Sequence, residues 1–302
     1  MKKFSSVVIG FLIGLMIIGS AMPASAAKVK EVEKNGKKTV ETAKAVLDIT
    51  NVNNGYFTAS VLKEQKTKVK VTVEKDKVKY TYDLSAKPKA EVFPLQLGDG
   101  KYDIKVLFQA GSKYSVALSY QIEAKIKDKN APFLFPNQQV DYKDDSKAIK
   151  KAAELVKKKK TTVEKVNTIY NHVITALVYD TKKAEDVTSG KITTYVPKVD
   201  DVFSTGKGIC FDYAALFAAM LRSQGIPAKL VIGYVSTDKG NQYHAWNEFY
   251  VENKGWFKIN EMKFDGVKFN RLDPTFESSS KGSSKALKFI GDGKNYSPTL
   301  TY

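Results

Sequence analysis

Gly206-Lys207-Gly208-Ile209-Cys210-Phe211-Asp212-Tyr213-Ala214-Ala215-Leu216 is followed by Phe217-Ala218-Ala219-Met220-Leu221. From Asp212 onward the run is apolar nearly all round, which predicts a central, buried helix. Gly225 can supply its C-terminal cap, and Pro227 stops it from continuing. Cys210 then falls at or just before the first turn. There the unpaired backbone N–H groups and the positive end of the helix dipole favour a thiolate. The same N–H groups can hold an oxyanion during acyl transfer. Gly206 and Gly208 let the preceding loop approach closely. Cys210 is the sole cysteine of the chain.

Outward from this helix lie β-rich runs. Lys229 to Val235 is the first, and Thr237 to Gln242 reads as a turn. Tyr243-His244-Ala245-Trp246-Asn247-Glu248-Phe249-Tyr250-Val251 is the second. His244 follows Cys210 by 34 residues and is one of two histidines in the chain. A thiol plus an imidazole is what nucleophilic acyl chemistry needs, because the base takes the thiol proton and later hands it to the leaving group. The other histidine, His172, lies between apolar positions of a helix and reads as structural.

A third group should orient the imidazole. Asn260 ends Trp256-Phe257-Lys258-Ile259-Asn260, and Asp273 stands in Arg271-Leu272-Asp273-Pro274-Thr275-Phe276. A carboxylate stabilises an imidazolium better than an amide does, although Asp before Pro is also ordinary turn chemistry. Between the two candidates, Glu261 to Asn270 looks like a turn and a strand, with Asp265-Gly266 as a hairpin signal.

Upstream, Ser146 can start a helix with Ile149, Ala152, Ala153 and Val156 on one face. Lys157–Lys160 suits its C-terminal end. Thr161-Thr162-Val163-Glu164 is a capping box for a second helix carrying Val163, Val166, Ile169, Tyr170 and Val173. Thr181 to Asp200 is polar and reads as a loop over the site.

From Ala45 to about Lys127 the period is near two. Lys68-Val69-Lys70-Val71-Thr72-Val73-Glu74 alternates strictly, and Lys75-Asp76-Lys77 and Gly98-Asp99-Gly100 mark turns. Six to eight short strands at this spacing predict an antiparallel, immunoglobulin-like β-sandwich over 45–130. Asn130 to Asn137 breaks the pattern. The second domain is expected over 140–302, and the lysine- and glutamate-rich 27–44 reads as a linker.

The first 26 residues read as a secretory signal: Met1-Lys2-Lys3, an apolar Val7 to Ile18, and Ala24-Ser25-Ala26 as cleavage site. The apolar core is short for a membrane span. Cleavage removes Lys2 and Lys3 and no acid, lowering the net charge from +17 to +15. The product is expected outside the cytoplasm, secreted or associated with an anionic cell envelope. In such a place a lone cysteine cannot form an internal disulfide and is kept for chemistry or intermolecular pairing. Dispersed lysines, scarce arginine and no nucleic-acid motif argue against a nucleic-acid partner. One cysteine and two distant histidines are poor metal-ligand material, and neither metal nor cofactor is expected.

The order of these motifs resembles a known family. Gly206–Leu216, Gly225-Ile226-Pro227-Ala228, Gly233-Tyr234, His244-Ala245-Trp246-Asn247-Glu248 and Leu272-Asp273-Pro274-Thr275-Phe276 together look like the bacterial transglutaminase-like superfamily, over roughly residues 150–280. The resemblance implies a papain-like domain with the nucleophile on a helix and the base and orienting acid on an adjacent antiparallel sheet, which with the preceding sandwich makes an α+β chain. It carries over Cys210 as nucleophile, His244 as base and acid, and Asp273 as orienter. In much of the family the aspartate follows the histidine across a single hairpin, so spacing favours Asn260 while motif type favours Asp273; we prefer Asp273. Tyr179, close to the loop before the cysteine, is the candidate oxyanion partner. The expected function is an exported cysteine-dependent acyl-transfer enzyme acting on amide bonds of proteins or peptides, either protease or amidase, or transglutaminase. The alternative is a catalytically silent scaffold of the cell envelope. Retention of Cys210, His244 and Asp273 favours catalysis.

Overall fold

The structure is a computed structural model of the 302-residue chain, and it describes residues 30, 32–34, 36–238, 240–257, 273–279 and 293–302. The expected signal segment, Asn260 and the 261–270 hairpin lie outside these residues.

Eight strands form the N-terminal half: β1 (Thr39–Glu41), β2 (Ala45–Asp48), β3 (Tyr56–Val61), β4 (Val69–Lys75), β5 (Val78–Leu84), β6 (Glu91–Pro94), β7 (Gly100–Ala110) and β8 (Lys113–Ala124). They make two four-stranded antiparallel sheets, ordered β1-β2-β3-β6 and β5-β4-β7-β8. The alternation read in the sequence has its physical cause here. Val69, Val71 and Val73 of β4 point into the core, while Lys70 and Glu74 are only half-buried. The sheets face one another: Tyr82 of β5 meets Phe93 of β6 edge-on, with ring centres 5.2 Å apart. The β4–β5 turn places Asp76 and Lys77 at φ 50° and 68°, the double left-handed geometry that suits the twist of a two-residue hairpin. The stretch read as a linker supplies β1, which pairs with β2.

The C-terminal half begins with α1 (Lys147–Val156) and α2 (Thr162–Ala176). At α2 the Thr161–Glu164 capping box forms in both directions: Glu164 N–H donates to Thr161 Oγ1 at 3.2 Å, and Thr161 N–H donates to Glu164 Oε2 at 2.8 Å. Ser146 sits at the N-cap of α1, but its hydroxyl turns back to accept from Lys143 N–H. Next come β9 (Val178–Tyr179), α3 (Thr181–Thr188), α4 (Val199–Thr205), β10 (Lys207–Gly208) and α5 (Cys210–Arg222). The expected loop over 181–200 is therefore helix α3, an irregular stretch and the start of α4. Helix α3 buries no side chain, so its sequence carries no apolar period to read.

Strands β11 (Ala228–Thr237), β12 (Gly240–Val251), β13 (Gly255–Phe257) and β14 (Tyr296–Thr301) form an antiparallel sheet ordered β13-β12-β11-β14, and α6 (Pro274–Ser279) lies beside it. Helix α5 packs on this sheet and is buried from Asp212 through Arg222. The two halves share one apolar core. Tyr302 inserts between them, edge-on to Tyr80 and Tyr82 at 5.4 and 6.0 Å. Arg222, wholly buried at the end of α5, donates to the carbonyls of Ala228, Phe135 and Tyr302 at 2.8, 2.9 and 2.8 Å. Lys229 pairs with Glu248 and sits 4.0 Å over the Trp256 ring, which itself meets Phe133 of the connecting segment. No helix among the described residues is long and apolar enough to cross a membrane.

Candidate active site

Cys210 opens α5, as the two preceding glycines require. Gly206 caps α4 at φ +64°, a left-handed conformation in which a side chain would be strained. Gly208 is needed for space: a Cβ there would stand 2.5 Å from Asp212 Cβ. Strand β10 pairs in parallel with β9, setting Gly208 opposite Tyr179. Ile209 at the N-cap has no side-chain acceptor to offer the helix. Instead Asp212 turns back, and its Oδ2 accepts from Ile209 N–H at 2.8 Å. The Cys210 thiol is free and half-buried.

His244 stands on β12 opposite Gly233 of β11. Its Nε2 lies 2.6 Å from Asp273 Oδ2, and the Cys210 thiol is a further hydrogen-bond partner of the ring. With Nε2 taken by the carboxylate, Nδ1 is the nitrogen left for the sulfur. The ring is almost wholly buried, 4.8 Å from Phe276 and 6.3 Å from both Trp246 and Tyr296. Burial works against a charged ring. It is outweighed by the charge and hydrogen bond of Asp273 and by Cys210, so His244 is held above the ordinary histidine range.

Asp273 is fully buried and satisfied on both oxygens. Oδ2 also accepts from the Tyr296 hydroxyl at 2.8 Å, and Oδ1 accepts from Phe276 N–H at 3.2 Å. That last bond caps α6, with Pro274 as its first residue. The turn chemistry expected of Asp-Pro and the contact with the imidazole therefore coexist in one side chain. Ser278 of α6 fastens this turn to the helices: it bonds the Tyr213 hydroxyl at 3.1 Å and donates to Leu177 O at 3.0 Å.

The structure thus brings Cys210, His244 and Asp273 together. Tyr179 joins them, its phenol in the electrostatic field of Cys210. Burial, then the charges of Cys210, Tyr213 and Asp212, push its hydroxyl up to about 12, so it stays protonated at neutral pH and remains a donor. His172 lies elsewhere, beside Phe203. Among the described residues no group of three His, Cys, Asp or Glu side chains could hold a metal ion.

Three supporting residues were not singled out in the sequence. Asn247, fully buried, donates to Ala214 O at 2.9 Å and to Lys229 O at 3.1 Å, tying β12 to the thiol helix. Tyr296 steadies Asp273, and Asp212 anchors the turn before the thiol. Asn247 was recoverable from its position three residues after His244, on the sheet face opposite to that histidine. The pairing of Tyr296 with Asp273 spans 23 residues, and no local pattern announces it.

Residues 149–261 match the family model described as the Transglutaminase-like superfamily. A protein-glutamine gamma-glutamyltransferase of Pseudomonas aeruginosa is 33% identical over 100 residues, covering 30% of this chain and 15% of that protein. The uncharacterized protein YebA of Bacillus subtilis is 29% identical over 108 residues, covering 27% of this chain and 15% of that protein. The chain thus spans about a sixth of the length of these curated relatives. Among solved structures, red sea bream transglutaminase aligns at a TM-score of 0.31 with 12% identity, covering 76% of this chain and 49% of that one. A candidate cysteine protease of Cytophaga hutchinsonii aligns at 0.40 with 14% identity, covering 88% and 83%.

Proposed function

From a chain that carries a transglutaminase-like domain over residues 149–261, we infer a cysteine-dependent acyl-transfer enzyme acting on amide bonds of proteins or peptides. The observation that carries the reading is the contact between His244 Nε2 and Asp273 Oδ2 at 2.6 Å, with the Cys210 thiol on the same ring.

In the proposed mechanism His244 takes the thiol proton, giving a thiolate at the start of α5 beside an imidazolium paired with Asp273. The thiolate attacks the amide carbonyl carbon. The tetrahedral oxyanion is met by first-turn N–H groups of α5, with the Tyr179 hydroxyl as the candidate side-chain donor. Collapse breaks the C–N bond, and the imidazolium protonates the departing nitrogen. A thioester on Cys210 and neutral His244 remain. Water or a primary amine then attacks the thioester carbonyl, with His244 taking the proton of the attacking group and returning it to sulfur. Asp273 is the orienter in this scheme. Asn260 retains a role only if Asp273 proves dispensable.

The name of the Pseudomonas relative, a protein-glutamine gamma-glutamyltransferase, supports a glutamine donor. The protease and amidase outcome differs only in the second nucleophile. Export after cleavage near Ala27 and a place at an anionic envelope complete the proposal; the +17 net charge and the sequence of residues 1–26 support them.

A thiol-reactive acyl probe tests the central roles. Labelling of the native protein should vanish in Cys210→Ala and fall in His244→Ala. Absence of labelling from mildly acidic to basic pH would refute the enzyme and favour a silent scaffold.

A further inference from the structure

Asp212 is a wholly buried carboxylate two residues beyond the thiol. A cap for α5 needs only its bond to Ile209 N–H. Yet the carboxylate has two further partners, both from the segment that precedes α4. Lys183 Nζ donates to Oδ2 at 3.2 Å, and the Tyr195 hydroxyl donates to Oδ1. Lys183 also donates to the Tyr195 hydroxyl at 3.0 Å and lies over that ring at 5.2 Å. Tyr195 in turn meets Phe211 edge-on, with ring centres 6.4 Å apart. Three polar groups therefore close on one another beside the first turn of α5.

What they hold has little apolar fastening of its own. Helix α3 buries no side chain, so apolar packing does not secure it. At its start, Asp180 N–H donates to Gly208 O at 2.9 Å, and Asp180 caps the helix through Lys183 N–H. This same segment follows directly on Tyr179, whose phenol feels the charge of Cys210. It therefore stands as a wall beside the thiol, attached near its start by Lys183 and at its far end by Tyr195, both through Asp212. A buried carboxylate needs a counter-charge and hydrogen bonds, and here both come from the wall itself.

We propose that Asp212 is a positioning residue which, with Lys183 and Tyr195, latches residues 181–195 against the thiol helix as one wall of the acyl-donor groove, and that opening of this latch controls how a peptide reaches Cys210. The role in substrate entry rests on the reading of Cys210 as the nucleophile. The latch itself does not. Gly208 belongs to the same device, because only a residue without Cβ lets Asp212 come so close to the loop.

The test uses full-length Tyr195→Phe, Lys183→Met and Asp212→Asn proteins. Segment-resolved hydrogen exchange, alkylation of Cys210 by iodoacetamide, and KM and kcat on a glutamine-containing peptide are measured. Losing a hydrogen bond to a charged group should speed exchange of 181–195 by about tenfold or more, with residues 214–221 unchanged. Alkylation should quicken, and KM should rise by a larger factor than kcat falls. If Asp212→Asn does not fold, the other two variants carry the test, since neither residue lies in the core. Exchange and alkylation at the wild-type rate in folded variants would overturn the latch. Faster exchange with KM unchanged would overturn its part in substrate entry. A wild-type protein that turns over no peptide would instead remove the catalytic reading, and exchange and alkylation would still decide the latch.

Discussion

Gly233 and Ser297 approach so closely that no side chain fits between them: a Cβ on Gly233 would lie 2.1 Å from the Ser297 carbonyl oxygen. Strand β14 is thereby seated against β11, whose Gly233 pairs with His244 on its other edge, with a register shift between Ile232 and Gly233. The seating delivers Tyr296, one residue before Ser297, to Asp273. Gly233→Ala must displace β14 backbone, at about 1–3 kcal/mol for an overpacked site. Thermal unfolding should show that loss. Peptide turnover should fall further than in Tyr296→Phe, which removes one hydrogen bond to the carboxylate and leaves the strand in place.

Asn247 sets the spacing between the imidazole strand and the thiol helix through its bonds to Ala214 O and Lys229 O. Asn247→Leu removes the donor from one buried carbonyl, Ala214 O, and one partly buried carbonyl, Lys229 O, at about 1–3 kcal/mol for a buried group left unsatisfied. The expected outcome is lower stability in denaturant melts together with a drop in kcat/KM. Unchanged kcat/KM in the folded variant would separate this tie from the geometry of the site.

Arg222 is a buried cation held by three carbonyl oxygens, those of Ala228, Phe135 and Tyr302, which lie in β-sheet, connecting segment and chain end. Burial pulls its guanidinium down to about 10, against the raising influence of Tyr142, which leaves it charged at neutral pH. Arg222→Met removes all three donors, and Arg222→Lys cannot reproduce the planar fork. Both should destabilise the junction of the two halves, by about 3 kcal/mol or more for the methionine variant. Proteolysis between residues 126 and 146 should accelerate.

The pH dependence follows from His244. Its folded value is raised above the unfolded one near 6.5 by Asp273 and Cys210, in spite of burial. A raised histidine contributes stability that is fully present below the unfolded value and is lost as pH rises through the folded value. The wild-type protein should therefore lose stability relative to His244→Gln as pH is raised from neutral into the alkaline range. Urea melts at several pH values measure the difference. A gap that widens with rising pH would contradict the assignment.

Much of this was legible in the sequence because its causes are local. The alternation of Val69, Val71 and Val73 reports a sheet with one wet face, and the apolar run after Asp212 reports a buried helix. Cys210 and His244 stood out by scarcity, since the chain has one cysteine and two histidines. Asp273 has a competitor in Asn260, weaker in chemistry but favoured by spacing, and the bond of Asp273 to His244 spans 29 residues, a distance over which spacing alone carries little information. Helix α3 is not legible in the sequence because a helix that buries nothing leaves no apolar period. Strand β14, drawn from a tail rich in serine, lysine and glycine upstream, owes its place to partners on β11, 61 to 70 residues earlier in chain order.

Asp273 carries the orienting role in the proposed triad. Asp273→Ala should lower kcat on the order of 10³–10⁴-fold, as for loss of the acid in a comparable triad. Asn260→Ala should leave most turnover in place. The reverse pattern would transfer the orienting role to Asn260.

The central claim is that Cys210 carries the acyl group. Intact-mass spectrometry of the acid-quenched protein, after brief incubation with a glutamine-containing peptide, tests it most directly. We predict ammonia release and a peptide adduct on Cys210 that disappears when a primary amine is added and is absent from Cys210→Ala. Turnover of the peptide by Cys210→Ala at the wild-type rate would contradict the account.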